Sequence, residues 1–185
     1  MKRFWFAFLA ACLAQASWAD EALWSKLKAG GHVVLIRHAS TEAGLGDPPG
    51  FKLGDCATQR NLSEAGREEA RRLGRQFQFR AINFTTARSS RWCRCLETAR
   101  LAFGEEPEPW PVLNSLHADA SGEAALVKEV NALAAKTKPP YNAVLVTHNF
   151  NIRALTGISP KEAEVIIVRG TGGKLEVVGR IPLPQ

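Results

Sequence analysis

The chain has 185 residues, 45% of them hydrophobic and 23% charged, which suits one domain with a full core and excludes a collagen-like or low-complexity chain. Its formal charge of +6 favours anionic ligands. No basic patch interleaved with aromatic residues accompanies that charge, so nucleic acid is not expected as a partner.

Met1-Lys2-Arg3 is a positive n-region, residues 4–13 are almost wholly apolar, and Ser17-Trp18-Ala19 is a small-x-small cleavage site before Asp20. These are the parts of a secretory signal peptide in their proper order. The apolar run is too short to span a bilayer. The expectation is a leader over 1–19, cut after Ala19, a single domain over 20–185, a periplasmic or secreted location, and no stable membrane insertion after cleavage. Leu9-Ala10-Ala11-Cys12 also has the form of a lipoprotein cleavage box, an alternative that would leave an unusually short leader. Loss of Lys2 and Arg3 lowers the formal charge by two. Export would place the chain where disulfides persist.

Residues 21–28 have the spacing of a short amphipathic helix with Ala22, Leu23 and Leu27 on its apolar side. His32-Val33-Val34-Leu35-Ile36 is a short β-branched strand that ends abruptly in Arg37-His38. Residues 43–58 are rich in Gly and Pro, lack periodicity and predict a long loop bordering that strand end. Ser63 is an N-cap candidate for a helix with Gly66, Ala70, Leu73 and Phe77 on one face. Arg67, Arg71 and Arg75 form a second stripe, read as a solvated face with Glu68 and Arg72 paired. Residues 82–86 predict a second strand. Residues 90–103 predict a helix buried through Trp92, Leu96, Ala99 and Phe103, with Arg94 in its first turn off that face. Such a position suits an anion at a helix N-terminus. A short strand over 110–113, a helix over 123–136 with Ala124, Val127, Val130 and Ala134 as core, and an apolar strand over 143–146 follow. That strand ends in Thr147-His148-Asn149, and a short helix, then strands over 165–168 and 175–180, complete the chain.

Strands alternating with helices predict an α/β fold of three layers, a central mostly parallel sheet flanked by helices. Parallel strands share one C-terminal edge, where ligands bind in open α/β sheets. Two strands end there in His38 and His148, and a third feeds the helix bearing Arg94. Two imidazoles and two guanidiniums can then meet around one anion. Arginine offers a planar fork of donors to phosphate, and a neutral imidazole is a nucleophile.

Arg37-His38-Ala39, Arg60-Asn61-Leu62-Ser63-Glu64-Ala65-Gly66, the Ser89–Ala99 segment around Trp92-Cys93-Arg94 and Val146-Thr147-His148 together resemble the histidine phosphatase superfamily, the phosphoglycerate-mutase-like fold, in its small secreted bacterial form. The resemblance implies a phosphohistidine on His38, with Arg37, Arg94, His148 and Thr41 as the phosphate-binding set and no cofactor. The implied function is an exported phosphatase acting on a phosphomonoester or related small phosphorylated compound. A phosphotransferase or mutase, and a phosphate-binding module without turnover, are the alternatives. The resemblance also has departures: Ala39 stands where glycine is usual, Gly44 where an asparagine is common, and Arg91 where many members have proline. No general acid is evident, because Asn149 follows the second histidine. Asp119 is the candidate, with Glu123 in the same segment.

His32 and His117 lack ligand spacing and are expected to be structural or solvated, so no metal is expected. Cys56 is expected to pair with Cys93 or Cys95, three reduced thiols being the alternative.

Overall fold

A computed structural model describes residues 20–183, apart from 45 and 86; the expected leader over 1–19 lies outside the described residues. Strands β1 (Val33–Arg37) and β4 (Ala143–Thr147) are buried along almost their whole length. A strand apolar on both faces needs cover on both faces, and these two take the centre of the sheet. They pair in parallel, with Val33 opposite Ala143 and Arg37 opposite Thr147. Outside β4 lie the two-residue strands β2 (Arg88–Ser89) and β3 (Glu108–Pro109), also parallel. Outside β1 lies a hairpin of β5 (Val165–Thr171) and β6 (Lys174–Ile181), antiparallel to β1. The order is β3-β2-β4-β1-β5-β6, a mixed sheet whose parallel half carries the strand ends singled out above.

Alternate strand residues serve opposite faces. Val34, Ile36, Val144, Val146 and Ile167 pack beneath α1 (residues 20–29), α2 (Glu64–Phe79) and α3 (Cys93–Phe103). Val33, Leu35, Leu145, Ile166 and Val168 pack against α4 (Glu123–Lys136) and α5 (Asn149–Thr156). These are the three expected layers.

The helix signals hold, with local differences. Ser63 caps α2 by accepting from Gly66 N at 3.1 Å, and Glu68 pairs with Arg71 and Arg75 rather than Arg72. Helix α1 is anchored by Trp24 and Leu27, whereas Ala22 is exposed; Ala124 is likewise exposed on α4, whose buried line is Leu126, Val130 and Ala134.

Two predicted strands move. Over 82–85 the chain makes only a bridge, Phe84 to Asn142, because its backbone groups are taken by Asn142, whose Nδ2 donates to Asn83 O at 2.8 Å. The sheet strand begins later, at Arg88. Over 110–113 a 3-10 turn replaces the strand, since Pro111 has no N–H to give a ladder and its ring sets φ for a turn.

Arg94 is the consequential difference: it is buried, together with Cys93, Cys95, Thr98 and Ala99. The long loop folds over the first turn of α3 and covers it. Cys56 is bonded to Cys93, and Cys95 is free and buried. Gln59 accepts from Cys93 N at 3.0 Å beside the bridge.

Helix α2 lies against backbone rather than side chains at two places. A Cβ on Gly66 would fall 1.8 Å from Ser40 O, and one on Gly74 would fall 2.0 Å from Ala102 O. Gly66 thus sets the height of α2 above the segment that follows His38. Gly66→Ala is expected to lower the unfolding free energy by about 1–3 kcal/mol, the usual penalty of overpacking, as measured by urea denaturation.

Candidate active site

The register of β1 and β4 sets the site. With Arg37 opposite Thr147, the next residues, His38 and His148, leave the sheet side by side, and His38 N donates to Thr147 O at 3.0 Å. Their rings stand edge to face, 5.5 Å between centroids, and are only 5% and 4% exposed.

His38 Nδ1 lies 2.9 Å from Ala39 O. A carbonyl oxygen only accepts, so the proton sits on Nδ1 and the lone pair on Nε2. Burial, followed by the charges of Arg94, Arg37 and Arg60, pushes the imidazole down to about 3, against the opposing pull of the Ala39 bond. His148 is also held well below the usual histidine range, by burial first and then by His38, Arg94 and Arg37. Its Nε2 shares a 2.8 Å hydrogen bond with Ser90 Oγ, which in turn accepts from Trp92 N at 3.3 Å. The Trp92 indole stands edge-on to the His148 ring at 5.4 Å.

The two arginines are anchored alike. Arg37 donates through Nη1 to Pro160 O at 2.9 Å and through Nη2 to Glu162. Arg94 donates through Nη1 and Nη2 to the two oxygens of Asp47, at 2.7 and 3.2 Å. In both, Nε is buried and has no hydrogen-bond partner among the described residues. A buried donor left unpaired costs about 1–3 kcal/mol, and an oxyanion would satisfy it. Arg60 adds a third guanidinium, again with a buried Nε lacking a partner, and its carbonyl accepts from Arg94 Nη1 at 3.4 Å.

Of the residues singled out from the sequence, His38, Arg37, Arg94 and His148 come together. Thr41 is tied by a backbone bridge to Leu62 just beyond the nucleophile, with no side-chain hydrogen bond among the described residues. Asp119 is not brought into the cluster's hydrogen bonds. It is exposed, and its carboxylate accepts from the N and Oγ of Ser121, at 3.0 and 2.7 Å, which hold it below the usual carboxylate range. It is an acceptor capping a turn, and nothing there keeps a proton on it. His117 stacks on Phe150 at 5.1 Å.

Asp47, Glu162 and Ser90 join the site without a local sequence signal that marks them for it. Ser90 falls within the Ser89–Ala99 segment, and Asp47 is a carboxylate in the loop leaving His38, but its partner lies 47 residues further on. Cys95 lies 3.5 Å from His148 Nε2, yet burial pushes its thiol up to about 12, so it carries no thiolate for chemistry.

The model of the histidine phosphatase superfamily (branch 1) matches residues 33–124, the segment that contains Arg37, His38, Arg60 and Arg94. No curated protein matches the chain. Solved structures with this fold include YhfR from Bacillus stearothermophilus, with a TM-score of 0.59 and 18% identity over 80% of this chain and 95% of that one. The protein histidine phosphatase SixA, solved with tungstate, gives a TM-score of 0.58 and 14% identity over 81% of this chain and 96% of that one. The alpha-ribazole phosphatase from Shigella flexneri gives 0.58 and 15% over 79% and 94%. At these identities the neighbours establish the fold, a mixed sheet flanked by helices. With the family match over the segment that bears the first histidine and both arginines, the chain belongs to the histidine phosphatase superfamily, as an enzyme of the phosphatase class.

Proposed function

We propose that the protein hydrolyses a phosphomonoester, or a related small phosphorylated compound, through a phosphohistidine on His38, and that it does so after export. The observation that carries the chemistry is the free Nε2 of a neutral His38, fixed by the Nδ1–H bond to Ala39 O and lying within the field of the Arg94, Arg37 and Arg60 guanidiniums. Phosphoryl transfer depends on positioning and charge neutralisation more than on covalent chemistry, and two guanidiniums supply that charge. In the first step the Nε2 lone pair forms a bond to phosphorus as the bond to the leaving oxygen breaks. In the second, water attacks the phosphohistidine, the P–N electron pair returns to Nε2, and phosphate departs. His148, whose ring stands 5.5 Å from that of His38 and whose Nε2 is bonded to Ser90 Oγ, is the second imidazole assigned to the transferring group.

The leaving group takes its proton from solvent in this scheme. Asp119 is occupied by Ser121, and Asp47 is held below the usual carboxylate range: burial raises it, but hydrogen bonds from Arg94, Arg60 N and Trp92 outweigh that. Neither is a proton donor at neutral pH. The fit is therefore to leaving groups that depart with little protonation, such as an aryl oxide or the imidazole of a phosphohistidine, the group for which SixA is named.

With p-nitrophenyl phosphate as substrate, the protein is expected to turn over and His38→Ala to lose at least about a thousandfold, while Asp119→Asn stays within twofold. Retained hydrolysis in His38→Ala would overturn the phosphohistidine. No turnover in the wild type, with phosphate or tungstate still bound, would favour a binding module instead.

Two neutral buried histidines also set a pH dependence. Their folded pKa values lie below the ordinary 6.5, so below that pH the unfolded chain binds more protons than the folded one. Stability is therefore full above about pH 6.5 and falls as pH drops below it, for His38 down to about 3, with a slope of roughly 1.4 kcal/mol per pH unit for each histidine that stays neutral when folded. Urea midpoints are expected to be flat from pH 7 to 8 and to decline below 6, and His38→Gln to remove about half of that decline between pH 6 and 5.

Export is supported by the order of charge, apolar run and small residues over 1–19. Expression of the full chain in a bacterium is expected to give a periplasmic protein beginning at Asp20, read by N-terminal sequencing. A cytoplasmic protein that keeps its leader would refute it.

A further inference from the structure

The loop leaving β1 places a carboxylate against the phosphate-binding arginine, and we propose that Asp47 is a positioning residue for phosphoryl transfer, holding Arg94 by its Nη end so that its buried Nε–H edge faces the oxyanion. The proposal rests on the phosphatase function of this site. Asp47 Oδ1 accepts from Arg94 Nη1 at 2.7 Å and from the Arg60 backbone N at 3.0 Å. Oδ2 accepts from Arg94 Nη2 at 3.2 Å and from Trp92 Nε1 at 2.9 Å. Four donors from three residues saturate the carboxylate. Two parallel N–H···O bonds fix the plane of a guanidinium as well as its place.

Burial gives the pair its meaning. The Arg94 and Asp47 side chains are 6% and 7% exposed. A buried ion pair is weak support for stability, since desolvation offsets much of the attraction, so its use here is orientation. The same carboxylate also fixes the indole of Trp92, whose ring stands against His148, while the Trp92 backbone N donates to the Ser90 hydroxyl bonded to His148. One loop side chain thus orients the arginine and backs the second histidine. Arg37 repeats the pattern with Glu162 and Pro160 O, its Nε also left free. The Cys56–Cys93 bridge ties the far end of the loop to the residue before Arg94, so both ends of the anchor belong to one rigid unit.

The opposite role, a carboxylate that fills the place of the phosphate and must be displaced, differs in sign. If Asp47 positions Arg94, its removal weakens oxyanion binding and slows transfer; if it competes for Arg94, its removal tightens oxyanion binding. Asp47→Asn, Asp47→Ala and Asp47→Glu are compared with the wild type in p-nitrophenyl phosphate kinetics and in tungstate binding by calorimetry. Asp47→Asn is expected to lose about a hundredfold in kcat, the usual consequence of a misplacement near 1 Å, and to bind tungstate about tenfold more weakly. Asp47→Glu is expected to recover part of both. Thermal midpoints and a free-thiol count unchanged from the wild type verify that each variant is folded with its bridge closed; should Asp47→Ala fail to fold, the isosteric Asp47→Asn still decides. Unchanged kcat and tungstate affinity in Asp47→Asn, or tighter tungstate binding, would overturn the proposal. If the wild type itself hydrolyses nothing, the phosphatase function fails, and the calorimetric comparison alone still judges the role of Asp47.

Discussion

The parallel pairing of β1 with β4 is the constraint on which the site depends. Five consecutive register pairs end with Arg37 opposite Thr147, and the two histidines emerge as neighbours although 110 positions separate them in the chain. A slip of one residue would turn His38 toward the other face, because side chains alternate along a strand. The apolar character of both strands prevents that slip: Val34, Ile36, Val144 and Val146 meet one helical layer while Val33, Leu35 and Leu145 meet the other. The same burial that fixes the register strips water from the imidazoles and leaves them uncharged. Core packing and the neutral state of the two imidazoles are therefore one effect seen at two depths of the sheet.

Around this pair the charges are arranged by clamps rather than by free side chains. Each guanidinium is gripped at its outer nitrogens by a carboxylate, Asp47 or Glu162, and each keeps one inner donor unpaired. Preorganisation of this kind spares the reorganisation that mobile cations would undergo as charge develops on the phosphoryl oxygens. It also explains why a loop rich in glycine and proline is held by a disulfide, a bridge to Leu62 and a buried carboxylate. The loop is part of the frame that holds Arg94.

Much of this was legible from local patterns. The two apolar strands, the Ser63 cap, the boundaries of α4 and the convergence of His38, Arg94 and His148 follow from periodicity, capping chemistry and the rule that parallel strands share an edge. What the sequence hid were interactions between distant segments. Arg94 looked exposed because helical periodicity sees only the helix, whereas a loop more than 30 residues earlier in the chain covers it. Asp47 and Glu162 stand in segments without periodicity, where nothing local marks the one carboxylate that will find a guanidinium. Asp119 had the right chemistry and the right segment, but its nearest donors were its own neighbours at Ser121, a short-range competition that spacing alone does not reveal.

The buried thiol of Cys95 has a consequence for the covalent integrity of the molecule. It sits two positions from the bridged Cys93, where exchange with the Cys56–Cys93 bond would be a short step for any reactive sulfur. Exchange requires a thiolate, and a thiol pushed up to about 12 supplies almost none at neutral pH. The core thus insulates the bridge from its nearest rival, and the Cys56–Cys93 pairing, once made, is protected from exchange with Cys95 by the same packing that supports His148.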